Sequence, residues 1–143
     1  MPEPGPAHRA LDMFAGSWAT SGKVWASPDA EPTEFTATDD YEWLPGGFFL
    51  AHHVVAQMGD TEVRVLEIFR VEDDGYVLES YDNQGGHVVS RAKLDGDTWT
   101  TESDSERFTG TFVFGGAILS GTWERRIGRD WVRWMGVTLV KKT

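Results

Sequence analysis

The chain has 143 residues, 40% hydrophobic and 13% aromatic, enough for one domain with its own core and no need of a second. It contains no cysteine, which excludes disulfides, thiolate metal sites and cysteine nucleophiles and permits a reducing compartment. A formal charge of -10 would repel phosphate backbones and anionic lipid, so no nucleic acid and no membrane surface is expected as a partner.

Residues 1–6, with Pro2, Pro4 and Pro6, read as a flexible N-terminus and lack the basic start and apolar run of a signal peptide. No stretch approaches the roughly 18 apolar residues of a membrane-spanning helix, and a cytoplasmic setting is expected. The charge is uneven. Six of the 13 basic residues, Arg125, Arg126, Arg129, Arg133, Lys141 and Lys142, lie near the C-terminal end.

In chain order, residues 6–14 suit a short helix, with Pro6 in its first turn, Leu11 and Phe14 on one side and Gly16 past its end. Such a helix would serve as a lid or plug. Residues 17–26 alternate, with Trp18, Thr20, Gly22 and Val24 on one face and Lys23 marking the outer one; Trp25 interrupts the pattern. After the turn-rich residues 27–32, a second strand over 34–44 places Phe35, Ala37, Tyr41 and Trp43 on one face, with Asp39 among them.

Residues 48–57 form an apolar run that reads as buried on both sides. Gln57 marks its outer face, which sends His52 inward and His53 outward. In the next strand Val63, Val65, Phe69 and Val71 share a face with Glu67, against Arg64 and Arg70. Further strands are expected over 76–82, 87–94, 98–102, 107–114, 117–127 and 131–142, with glycine-rich turns between most of them.

The pattern predicts an all-β fold over residues 1–143. It is a single closed antiparallel up-and-down β-barrel of about ten strands, with a short N-terminal helix. Pairing of the first and last strands removes the exposed edges of an open sheet.

The helix before Gly16-Ser17-Trp18, the run Trp43-Leu44-Pro45-Gly46-Gly47-Phe48-Phe49-Leu50, Tyr81-Asp82-Asn83 before Gly85-Gly86, and Gly121-Thr122-Trp123-Glu124 together span most of the chain. In this order they resemble the calycin superfamily of lipocalins, fatty-acid-binding proteins and nitrobindin-like barrels, and most of all a lipocalin-like bacterial family of unknown function. The resemblance implies a barrel enclosing a cavity for an apolar or amphipathic small molecule, with Trp18 packing the closed end. One relative binds haem through a histidine near its C-terminus; here the last histidine is His87.

Candidate site residues are the polar groups on otherwise apolar faces. Asp39, His52 and Glu67 are costly to bury unless paired, and in a pocket they could exchange protons or orient a ligand. Their structural alternatives are a satisfied core histidine, a pair with an inward Arg133, or a strand bulge that turns the side chain outward. Tyr41, Trp43, Trp99, Trp123 and Met135 are expected on inner faces, as apolar lining with few polar tips. His52 and His53 point to opposite faces and cannot chelate one ion without a bulge, so no metal and no cofactor is expected.

The leading expectation is a barrel that binds a small hydrophobic or aromatic molecule, oriented by His52, Glu67, Asp39 or Arg133. The alternative is an enzyme of secondary metabolism, an isomerase or cyclase with His52, Glu67 or Asp39 as catalytic group. Haem binding is a lesser alternative, and a homodimer with an exposed Trp25 or Trp134 at the contact is a further one.

Overall fold

The computed structural model of the chain describes residues 2–142. A five-residue helix, α1 (Pro6–Ala10), continues as a 3-10 turn over Leu11–Phe14. Ten strands follow: β1 (Gly16–Val24), β2 (Thr33–Trp43), β3 (Phe49–Met58), β4 (Thr61–Glu72), β5 (Gly75–Asp82), β6 (His87–Asp95), β7 (Thr98–Glu102), β8 (Glu106–Val113), β9 (Ile118–Ile127) and β10 (Asp130–Lys141). Each pairs antiparallel with its sequence neighbour, and β1 pairs with β10 from Trp18↔Lys141 to Val24↔Met135, which closes the barrel. The expected all-β, up-and-down barrel of about ten strands is the fold observed. Of the stretch read as flexible, residues 1–6, Met1 lies outside the described residues; the Pro4 carbonyl accepts a hydrogen bond from Arg9.

Alternation explains the two environments along each strand. Side chains of one parity enter the barrel and those of the other face outward. On the inward parity Trp18, Tyr41, Leu50, Phe69, Tyr76, Leu78, Trp99, Phe112, Leu119 and Leu139 join Leu11 and Phe14 in one buried cluster. Phe14 sits at its centre, with ring centroids 5.0 to 5.5 Å from those of Trp99, Tyr41, Phe112 and Phe69. The helical segment is therefore a plug, as its sequence position suggests.

It is tied down by four hydrogen bonds, three to its backbone and one to a side chain. Trp18 Nε1 donates to the Phe14 carbonyl, Tyr76 Oη to that of Ala7 and Lys141 Nζ to that of Met13, each at 2.8 Å. Trp43 Nε1 donates to Asp12 Oδ1 at 2.9 Å. A helix this short has little stability of its own, so these contacts and the burial of Leu11 and Phe14 hold it.

The opposite end differs. Val54, Val65, Ser80, Ser90, Trp123 and Met135 have inward parity but are only half-buried, and Val88 is exposed. Phe35, Ala56, Thr101 and Phe108 of the same half are buried, so the barrel is a shallow cup, packed solid on the plug side and partly filled on the other.

Two glycines shape its wall. Gly110 of β8 faces Gly121 of β9, and the Phe108 ring lies across both, where a Cβ at either position would collide with it. Only glycine lets the ring lie flat against the sheet, which is how barrels bend without losing packing.

The outer face of β3 departs from the expectation of burial on both sides. Phe49 and His53 are exposed there, whereas Ala51 is covered. Across the neighbouring strands Leu66, Tyr81 and Val89 are exposed as well, so the apolar run serves a partly apolar outer wall rather than a second core. Among the described residues no helix is long and apolar enough to cross a membrane.

Candidate functional site

β1 to β4 are consecutive neighbours, and their register brings one polar side chain from each to the same level inside the barrel. His52 is paired with Tyr41 on one side and with Glu67 on the other, so both flank it directly. Asp39 lies two residues from Tyr41 on the same face and reaches His52 diagonally, as Thr20 of β1 reaches Asp39.

The result is a hydrogen-bonded row. Thr20 Oγ1 donates to Asp39 Oδ2 at 2.5 Å, His52 Nε2 lies 2.6 Å from Asp39 Oδ1, and His52 Nδ1 lies 3.0 Å from Glu67 Oε1. Tyr41 stacks flat on the imidazole, with centroids 3.9 Å apart and planes 8° from parallel.

The charge on His52 follows from this geometry. Both ring nitrogens face carboxyl oxygens; ionised carboxylates only accept, so with both ionised each nitrogen carries a proton and the ring is an imidazolium. Burial alone would lower the His52 pKa; hydrogen bonds to Asp39 and Glu67, reinforced by their charges, reverse that and raise it from 6.5 to about 9. Burial also raises the Tyr41 pKa well above its ordinary value, with further upward pressure from Asp39 and Glu67, so its hydroxyl keeps its proton. Two carboxylates and one imidazolium leave the row with one net negative charge. Glu67 is its most open member, its side chain 20% exposed against 11% for His52 and 9% for Asp39.

The structure therefore brings together Asp39, Tyr41, His52 and Glu67 of the expected residues. Trp123 and Met135 are paired across β9 and β10, half-buried on the inward parity of the open half. Trp99 stacks against Phe69 at 5.7 Å and 3°, inside the plug-side core, and Trp43 ties the plug through Asp12. Neither borders the open half.

Arg133 does not join the row. It is exposed, and its guanidinium lies 3.9 Å from the Trp25 ring centroid. The cause is a register shift between Arg133 and Met135, where the extra residue Trp134 reverses the alternation. Trp25 and Trp134, expected as exposed contact residues, are half-buried, the second beneath Arg125 at 5.3 Å.

Three further groups matter here. Thr20 was legible as a polar residue on the Trp18 face. Glu106 and Arg125 are paired across β8 and β9 on the inward parity near the open rim. Burial raises the Glu106 pKa, while the charge of Arg125 pulls the other way.

The expected enclosed chamber is replaced by this open cup. Two hollows of about 800 and 670 Å³ lie elsewhere, the first lined by outward Arg91, Lys93, Glu102 and Arg107 with inward Tyr76 and Phe108, the second by outward Ser21, Lys23, Glu34 and Thr138 with inward Phe35 and Val137. Closed walls of small barrels are filled by side chains, and here the plug takes up the remaining space on its side.

The histidines fit poorly as haem ligands. Both nitrogens of His52 are engaged, His53 faces outward, His8 accepts from the Gly5 amide and His87 lies against Glu79. Among the described residues no group of three or more histidine, aspartate or glutamate side chains is arranged to hold a metal ion.

No curated protein matches the chain. Among solved structures it is similar to one titled as the de novo design of a fluorescence-activating β-barrel, with 11% identity, a TM-score of 0.48, and coverage of 93% of this chain and 97% of that one. A family model described as "Protein of unknown function (DUF1579)" matches residues 3–111, and the chain belongs to that family.

Proposed function

We propose that the protein binds a small amphipathic molecule in the open half of the barrel, its apolar body against Val54, Val65, Trp123 and Met135 and its polar end at Glu67. The observation that carries this reading is the placement of a charged row, Asp39, His52 and Glu67, at the boundary between a solid apolar core and a solvent-reached cup. Burying ionised groups is costly, and where no structural cation balances them a ligand can do so. The plug, with Trp18 against it, also supports placing the chain beside the calycins.

An acid–base enzyme in the same cup would have Glu67 as its base, because His52 already carries both of its protons.

The test is titration with N-phenyl-1-naphthylamine, a neutral apolar fluorophore, of wild type and of Val54→Trp, which fills the cup. Binding to wild type and loss in the variant are expected. Equal binding by both would overturn the reading.

A further inference from the structure

The charges lining the cup do not balance. On the inward parity of the open half stand four carboxylates, Asp39, Glu67, Asp82 and Glu106, against two cations, His52 and Arg125. Asp82 is partly spent on its own turn, accepting from the amides of Gln84 and Gly86 at 2.8 Å. Arg125 is engaged at the rim, within 3.4 Å of the Ala26 carbonyl and beside Glu106. Arg125 therefore does not compensate the inner row.

The remaining inward cation, Lys141, is at the plug end, 4.9 Å over the Trp18 ring and bonded to Met13. The Asp39–His52–Glu67 row thus keeps its net negative charge in a poorly solvated place. Glu67 presents the carboxylate nearest to solvent, and its Oε1 is the atom that holds His52.

We propose that the ligand is an organic cation, a protonated amine on an apolar body, whose ammonium group docks on the Glu67 carboxylate. This rests on the reading of the cup as a binding site. The overall charge of -10 works in the same direction, drawing cations toward the open mouth and repelling carboxylates. Apolar neighbours such as Val54 and Val65 strengthen the contact by excluding water from it.

The experiment compares three probes with one bicyclic body: 2-(1-naphthyl)ethylamine, 2-(1-naphthyl)ethanol and 3-(1-naphthyl)propionate, titrated calorimetrically at neutral pH. The amine should bind at least about tenfold more tightly than the alcohol, with the carboxylate weakest, and the order should persist at about 0.5 M salt, where surface attraction is screened. Glu67→Gln should abolish the advantage of the amine over the alcohol.

Ser80→Lys, opposite Glu67 on β5, places a rival ammonium there without removing any group of the row. It should expel the amine and spare the alcohol. An alcohol as tight as the amine, or an amine preference that survives Ser80→Lys, overturns the cationic assignment and leaves the cup as a binding site. Failure of all three probes to bind wild type overturns both.

Discussion

His52 Nε2 lies 2.6 Å from Asp39 Oδ1 inside an apolar barrel, and this contact, with Glu67 on the other nitrogen, makes a buried imidazole a permanent cation at neutral pH. The group is a strut between strands β2, β3 and β4 as well as the floor of the cup.

Stability should fall in mild alkali. His52 has a folded pKa of about 9 against 6.5 unfolded, so its stabilisation is complete below pH 6.5 and is lost as pH rises through 9. Every tenfold gain in proton affinity on folding is worth about 1.4 kcal/mol, so the full effect is about 3 kcal/mol. Urea midpoints measured across this range should fall for wild type and stay flat for His52→Gln.

Breaking the row should cost more than deleting it. His52→Leu leaves two buried carboxylates uncompensated, an arrangement that typically costs about 3–5 kcal/mol. Adding Asp39→Leu and Glu67→Leu to the same chain should recover most of that loss, because no unpaired charge then remains. Denaturant unfolding of the single and triple variants checks this, and a triple variant less stable than the single would contradict it.

The plug should behave as core. Phe14 is 1% exposed and touches four aromatic rings, so Phe14→Ala should cost about 3–5 kcal/mol, the range for buried aromatic truncation. Tyr76→Phe removes one hydrogen bond to Ala7 and should cost about 1 kcal/mol. Thermal or denaturant melts of both variants give the comparison.

The two wall glycines should differ in how they can be rescued. A Cβ on Gly110 meets Phe108 at 2.6 Å and Leu119 at 3.1 Å, side-chain atoms that can yield, whereas one on Gly121 also meets the Thr109 carbonyl at 2.6 Å. Overpacking of this kind costs about 1–3 kcal/mol. In melting experiments Phe108→Leu should relieve much of the loss in Gly110→Ala and little of it in Gly121→Ala.

Alternation alone made Asp39, His52 and Glu67 legible as polar residues on inward faces, because each sits two positions from large apolar ones. That they meet was not legible, since it depends on the registers Tyr41↔His52 and His52↔Glu67, which turn lengths set and periodicity does not. Arg133 shows where alternation fails. Counting back from inward Met135 makes it inward, but the bulge at Trp134 inserts one residue and sends it out to Trp25. Trp43 and Trp99 lie on the inward face that alternation gives them, but only the packing of the plug shows that they belong to the core and not to the cup.

The anionic cup stands or falls with the protonation of His52. Nitrogen-15 NMR of the labelled protein should show both His52 ring nitrogens protonated at neutral pH, with a single titration near pH 9. A neutral tautomer with one bare nitrogen at pH 7, titrating at or below 6.5, would contradict the charged row and the binding site built upon it.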